Sequence, residues 1–336
     1  MTEQKPIFNH TDKVEAWLSH FNTAIGVSAK NSGECKSSLE QLFLEESYWK
    51  DALALTWRLE TFCGATLIGE KLQHITAEKS IGQLELDKNA TPPSIVNRAG
   101  KDVIEAFLTF NTSFARCRGI LRLSSDKKKS TGLRAWTLFT AIDALVGFEE
   151  KTYSNRPTGE SYSRDFRGPN WLDQRIAAAG YTDREPDVLV VGGGQAGLSV
   201  AARLTQLGVD TLIVDRNKRV GDNWRNRYHA LTLHNQLHVN HLPYMPFPPT
   251  WPTYIPKDML ALWFESYAAA MELNFWCDMD VTSASFDDKQ QRWLVELSTV
   301  DGAQRKVSPR HVIMATGVSG IPNLPDIKSL SSFAGP

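Results

Sequence analysis

The stretch Val188-Leu189-Val190-Val191-Gly192-Gly193-Gly194-Gln195-Ala196-Gly197 decides the fold of this chain. Four consecutive apolar residues that run into glycine read as a strand buried on both faces, the mark of a parallel sheet. From Gln195 to Leu207, the residues Ala196, Leu198, Val200, Ala201, Leu204 and Leu207 recur on one helical stripe, which Gly208 stops. Thr211-Leu212-Ile213-Val214 is a second buried strand and ends at Asp215. The succession of strand, glycine turn, helix and strand is one βαβ unit of a doubly wound, Rossmann-type α/β sheet.

Glycines at 192, 194 and 197 match G-x-G-x-x-G. The spacing alone is weak, but here it follows a strand, opens a helix and is answered by an acid about 20 residues on, as a dinucleotide site requires. Gly192 permits the tight turn, Gly194 lets backbone approach a pyrophosphate, and Gly197 lets the helix pack close to the strand. The helix N-terminus offers unpaired N–H groups and a partial positive charge to the phosphates. Asp215 would accept hydrogen bonds from the adenosine ribose. Its charge disfavours a 2′-phosphate, so the site is expected to hold FAD or NAD and not NADP.

Further along lie Val220-Gly221-Asp222-Asn223-Trp224-Arg225, then Tyr228, Leu231-Thr232-Leu233-His234-Asn235, and the proline-aromatic run Leu242 to Pro249. Pro256-Lys257-Asp258 opens a helix through Tyr267. Val281–Phe286, Arg292–Leu297 and Lys306–Val307 alternate as a small antiparallel meander, and His311 to Gly317 reads as a return strand into a tight turn. Together these motifs resemble the flavin-containing monooxygenases, in the branch with auxin-forming and Baeyer–Villiger-like enzymes. The resemblance runs from Asp187 to the C-terminus. It implies that the glycine turn (Gly192, Gly193, Gly194, Gln195, Ala196, Gly197) binds FAD. It places Asn223, Trp224 and Asn235 along the flavin, and Ala315-Thr316-Gly317 where the chain leaves the FAD domain. By the same resemblance Asp215, Arg216 and Val281 join the cofactor-binding set. No catalytic residue is assigned, which suits chemistry carried by the cofactor.

The family's reaction is transfer of one oxygen atom from a flavin hydroperoxide, formed with NADPH and O₂, to a soft nitrogen or sulfur nucleophile or a carbonyl. The family also carries a second G-x-G-x-x-G for NADPH, and F-x-G-x-x-x-H between its two domains. This sequence has no second glycine motif and supplies Phe333 and Gly335 before ending at Pro336. The expectation is therefore the front portion of a longer enzyme: NADPH in the full-length protein, its site outside this chain, and a small-molecule substrate.

The first 150 residues differ. Val14, Trp17, Leu18, Phe21 and Ile25 mark an amphipathic helix, and Ser38–Phe43 a second, short one. Tyr48–Trp57, Val103–Phe114, Cys117–Leu123 and Arg134–Phe148 are aromatic-rich and partly alternating, and predict strands. Lys127-Lys128-Lys129 before Thr131-Gly132 predicts a solvated hairpin tip. Helices followed by long antiparallel strands give an α+β domain. Leu42-Phe43, Tyr48-Trp49-Lys50-Asp51, Thr56-Trp57, Arg116-Cys117-Arg118-Gly119 and Arg134-Ala135-Trp136-Thr137 are similar to the cone-shaped nuclear-transport-factor-like (SnoaL-like) domain. That resemblance implies a homodimer through this domain or an apolar pocket lined by Trp49, Asp51 and Trp57; core packing explains the two tryptophans at least as well. Residues 151–186, broken by Pro157, Gly159, Gly168-Pro169 and Pro186, read as a linker with one short helix from Trp171 to Ala179. The expected plan is 1–150 SnoaL-like, 151–186 linker and 187–336 a partial FAD-binding domain.

At 336 residues the length favours two domains, and 42% hydrophobic with 22% charged residues is an ordinary globular composition. Lys plus Arg number 37 against 38 Asp plus Glu, so no strong field draws the chain to nucleic acid or an anionic membrane. No run approaches the ~18 apolar residues of a spanning helix, and MTEQKPIFNHTDK has no apolar core of a secretory signal. Cys35, Cys63, Cys117 and Cys277 are widely spread, which fits a cytoplasmic protein rather than a disulfide framework. His234, His238 and His241 have no carboxylate at ligand spacing, so no metal site is expected. Two other readings stay open: a flavin-dependent reductase, which needs a redox cysteine pair, and a non-enzymatic dimerisation module with a vestigial FAD domain.

Overall fold

The computed structural model describes residues 10–27, 32–78, 81–125, 132–157, 166–318, 325–327, 332 and 334. The chain divides into two compact units, Met1–Glu149 and Glu150–Pro336.

The first unit runs α1 (His10–Val27), α2 (Ser32–Gln41), β1 (Phe43–Ala52), β2 (Leu59–Cys63), α3 (Ala65–Glu78), β3 (Glu85–Leu86), β4 (Ser94–Arg98), β5 (Lys101–Asn111), β6 (Ala115–Ser125) and β7 (Leu133–Leu145). Its sheet has the order β2-β1-β7-β6-β5-β3, with β4 also on β5. One face of the sheet, including Leu108, Leu121 and Leu138, packs with Val14, Trp17, Leu18 and Phe21 of α1 and with Ile68, Leu72 and Ile75 of α3. Each such side chain, fully buried, contributes about 1.5–3 kcal/mol.

Three sequence expectations change here. The order is not helices and then antiparallel strands: α3 interrupts the strands, and β1 pairs with β7 in parallel, Trp49 opposite Leu138. The predicted strand Tyr48–Trp57 ends at Ala52, because Leu53 and Trp57 take φ of 67° and 60°, left-handed values that no strand accommodates. The predicted helix Ser38–Phe43 is the tail of α2, and Phe43 opens β1. The lysine run 127–129 lies outside the described residues, although β6 and β7 pair antiparallel on either side of it.

The second unit runs α4 (Trp171–Gly180), β8 (Val188–Val191), α5 (Gln195–Gln206), β9 (Thr211–Val214), α6 (Asp222–Arg225), α7 (Lys257–Ala270), β10 (Asn274–Trp276), β11 (Asp280–Asp287), β12 (Arg292–Ser298), β13 (Gln304–Val307) and β14 (His311–Met314). Parallel strands lie in the order β10-β9-β8-β14. The antiparallel meander β11-β12-β13 forms a second sheet. Val188, Val190 and Ile213 pack with Leu198 and Ala201 of α5 and Phe264 of α7. On the opposite face Leu189, Leu212 and Val214 pack with Val295, Leu297 and Val307 of the meander. Both faces are thus covered at β8 and β9, which is why β8 is wholly apolar and β9 apolar after Thr211.

The stretch from Asn170 to Pro186 is fastened to this sheet. Asn170 and Asp173 form a capping box at the start of α4. Arg175 donates to Asn274 Oδ1 at 2.7 Å, Trp276 Nε1 to the Ala179 carbonyl at 2.7 Å, and Arg184 Nε to Asp210 Oδ2 at 2.7 Å. Among the described residues no helix is long and apolar enough to cross a membrane.

Candidate functional site

Three strand ends meet at the carboxyl edge of the parallel sheet. The Gly192 amide donates to Val214 O at 2.8 Å, and the Ala315 amide to Val191 O at 2.8 Å, so the glycine turn sits between Asp215 and Ala315-Thr316-Gly317. That crevice is where open α/β sheets hold ligands.

The glycines are needed for contact reasons that differ at each position. Gly192 has φ of 106°, and a Cβ there would come within 2.5 Å of the Ala315 carbonyl. At Gly197 a Cβ would come within 1.9 Å of Gly192 O, so no other residue lets α5 rest on the turn. A Cβ on Gly194 would meet one neighbour within 4 Å, the Asn223 side-chain amide at 3.2 Å, which leaves its backbone open on the crevice side. Gly194 is also the N-cap of α5, and no side chain caps that end. The first-turn amides of Gln195, Ala196 and Gly197 are available to an anion.

Asp215 is half-buried and lies over the turn. Its Oδ2 accepts the Gly193 amide at 2.6 Å, and its Oδ1 accepts the backbone and side-chain nitrogens of Asn217, both at 2.8 Å. A carboxylate has about four acceptor positions. Three are taken, so about one is left for a ribose hydroxyl. The residues present thus fit the diphosphate and ribose of a dinucleotide, with a more crowded carboxylate than the sequence alone implies.

Asn223 and Trp224 come to the same place. Trp224 Nε1 donates to Gln195 Oε1 at 3.2 Å, and Asn223 adjoins Gly194. Gly221, φ 88°, allows this: a Cβ there would lie 2.4 Å from Ala261 O of α7. Below it Arg225 Nη1 donates to Val220 O at 2.7 Å and Asp222 Oδ1 at 2.8 Å, and the buried Lys257 Nζ donates to Arg225 O at 3.0 Å.

The remaining expected residues are placed otherwise. Arg216, Thr316 and Gly317 are exposed. Val281 is half-buried against the Leu297 and Val295 cluster, opposite Leu297 in the meander. Asn235 is exposed, and its carbonyl accepts from Asn240 at 3.4 Å, a tie within its own loop. His241 Nδ1 accepts the Phe247 amide at 3.0 Å. Asn217 and Phe275, which sequence reasoning does not single out, both touch the site. Asn217 carried a signal, standing two residues past the strand-end acid; Phe275 did not, because its role is contact across strands. Cys277 follows β10, and burial, then the charge of Asp215, push its thiol up to about 11.

In the first unit, Trp49 and Asp51 belong to a closed network. Trp49 Nε1 donates to Thr140 Oγ1 at 2.9 Å, which donates to Asp51 Oδ1 at 2.6 Å. Asp51 also accepts the Leu55 amide at 3.1 Å and the Thr56 amide and hydroxyl at 2.8 Å, closing the loop after β1. Trp57 is half exposed and stacks on Phe114.

Residues 189–333 match the family model described as pyridine nucleotide-disulphide oxidoreductase. The chain is 36% identical over 152 residues to a probable indole-3-pyruvate monooxygenase, YUCCA4, of Arabidopsis thaliana, covering 45% of this chain and 36% of that protein. It is 35% identical over 151 residues to indole-3-pyruvate monooxygenase YUCCA1 of Oryza sativa subsp. japonica, covering 45% and 36%. Among solved structures, a flavin-containing monooxygenase from Stenotrophomonas maltophilia is 29% identical with a TM-score of 0.37, covering 45% of this chain and 44% of that one. The chain spans about a third of the length of the curated relatives it matches, and over that third its second unit is similar to indole-3-pyruvate monooxygenases.

Proposed function

We propose that the second unit binds FAD at the Gly192–Gly197 turn and that the protein acts in an NADPH-dependent flavin monooxygenase reaction, inserting one oxygen atom into a small molecule with a soft nitrogen or sulfur or a carbonyl. The observation that carries this reading is the meeting of the uncapped α5 N-terminus, Asp215 and the Ala315–Gly317 turn at one sheet edge. The sequence similarity to monooxygenases over the same residues supports it.

In this reading the amides of α5 hold the diphosphate, Asp215 accepts a ribose hydroxyl, and Asn223 and Trp224 flank the group as it leaves the turn. Bound flavin would supply the redox and oxygen-activating chemistry. The chain's own part is to bind, orient and keep water out. A disulfide-reducing reading is disfavoured: Cys277 is the sole cysteine after residue 149, and burial pushes its thiol's pKa up, away from a reactive thiolate. The first unit is proposed as the SnoaL-like cone, supported by its mixed sheet with β1 beside β7 and three helices on one face. Dimerisation through it is supported by Phe107, Ile120 and Phe139, which share one cross-strand row on the other face. A cytoplasmic site of action completes the reading, supported by the free thiols of Cys63, Cys117 and Cys277.

Reconstitution with FAD tests it. The folded protein should turn yellow and retain flavin through gel filtration, and Asp215→Ala should weaken FAD binding about 10-fold or more, the worth of a charged hydrogen bond. A folded wild type that retains no flavin overturns it.

A further inference from the structure

The middle residue of the glycine turn has a partner on the third strand. Gly193 is buried, and a Cβ built on it would stand 2.2 Å from Cζ and 2.6 Å from Cε2 of Phe275. Phe275 lies in β10 opposite Ile213, which lies opposite Val190, so the ring continues the row that leads to the turn. The ring fills the volume that a side chain at 193 would take. The same Gly193 gives its amide to Asp215 Oδ2 at 2.6 Å, and the Asp215 amide is itself held by Trp276 O, one residue past Phe275, at 3.0 Å.

We propose that Phe275 is a positioning residue for ribose recognition: its ring sets the height of Gly193, and through the Gly193 amide it fixes the carboxylate of Asp215. This rests on the dinucleotide reading of the turn. It makes the absence of a side chain at 193 a property of this chain's third strand and not of the glycine motif as such. Phe275 touches no ligand in this account; it acts through Gly193 and Asp215. Removing the ring leaves the turn unsupported, so the Gly193 amide no longer holds Oδ2 and the carboxylate can turn about the Oδ1 that Asn217 holds. Adding a methyl at 193 drives the turn off the ring, with the same result.

The test compares wild type, Phe275→Ala, Phe275→Leu, Gly193→Ala and the double variant Gly193→Ala/Phe275→Ala, with ADP and 2′-deoxy-ADP as probes in titration calorimetry. Wild type should prefer ADP about 10-fold or more. Phe275→Ala and Gly193→Ala should each bring that ratio toward one, Phe275→Leu should fall between, and the double variant should recover part of the preference because the new methyl occupies the vacated space. A merely structural role would weaken both nucleotides equally and leave the ratio in place, which overturns the proposal, as does a Gly193→Ala effect of equal size in both backgrounds. Thermal unfolding of each variant without nucleotide identifies any that fails to fold, and Phe275→Leu then carries the comparison. If wild type binds neither nucleotide nor FAD, the cofactor reading itself falls; if it binds with the preference and the variants keep it, only the role of Phe275 falls.

Discussion

Asp51 and Glu105 are both buried acids, and they depend on opposite kinds of partner. Asp51 is fully enclosed and is held by hydroxyls and amides of Thr140, Leu55 and Thr56. Asp51→Ala would strand those donors and should cost about 3 kcal/mol or more, whereas Asp51→Asn keeps one acceptor and should cost less; urea unfolding midpoints check the order. Glu105 is instead held by cations. Arg98 donates to it through Nη2 at 2.7 Å and Nε at 3.0 Å, and Arg122 Nε donates at 2.7 Å. These bonds, that from Arg98 foremost, hold its carboxyl below the usual 4.5. A lowered folded value means stabilisation present above 4.5 and lost as pH falls through the folded value. The acid limb of the stability curve below pH 4.5 should therefore flatten in Glu105→Gln, as read by unfolding at a series of pH values. Neither role is legible from residue type, since both acids sit within alternating strand sequence, and Thr140 and Arg122, which complete their partner sets, lie on strands met later in the chain.

Elements were legible where one rule governed them. The runs 188–191 and 211–214 are strands with the bounds that the sequence suggests, because burial on both faces leaves them apolar but for Thr211. The meander was legible by alternation. In the first unit, α3 carries Ile68, Leu72 and Ile75 at helical spacing, a readable signal that the surrounding strand-like aromatics mask. By contrast β2 buries Phe62 alone, and β4 buries nothing, so neither has a pattern to read. The parallel pairing of β1 with β7 leaves no local trace, since nothing in either strand names its neighbour. The stretch ahead of the parallel sheet reads as a linker by its prolines and glycines, yet α4 is anchored through Arg175, Ala179 and Arg184. Its capping box is the piece most open to test: Asn170→Ala removes the acceptor for the Asp173 amide and should cost about 1 kcal/mol, seen as a lowered unfolding midpoint of the unit that holds it.

At the scale of the molecule, one buried cluster serves the first unit and two, on the two faces of the parallel sheet, serve the second, and no described residue belongs to both units' clusters. Calorimetry should resolve two unfolding transitions. FAD at 100 times its dissociation constant should raise the one belonging to residues 150–336 by about 2.7 kcal/mol of stability and leave the other in place. Glycine spacing and strand-end acidity made the candidate site legible. Its support from β10 was not, because Phe275, met some eighty residues after the turn, comes against Gly193 only in three dimensions.

The seam between β1 and β7 also dictates a timetable for synthesis. A ribosome delivers Phe43–Ala52 early, but the strand that satisfies its inner edge, Leu133–Leu145, emerges only after the rest of the sheet. Until then the nascent first unit carries an open strand edge and the unburied Trp49, a span in which chaperone capture or a misplaced pairing competes with closure. Slowed translation between these two strands would lengthen that exposure, whereas slowing after Leu145 would give the unit time to shut before the second unit begins to form.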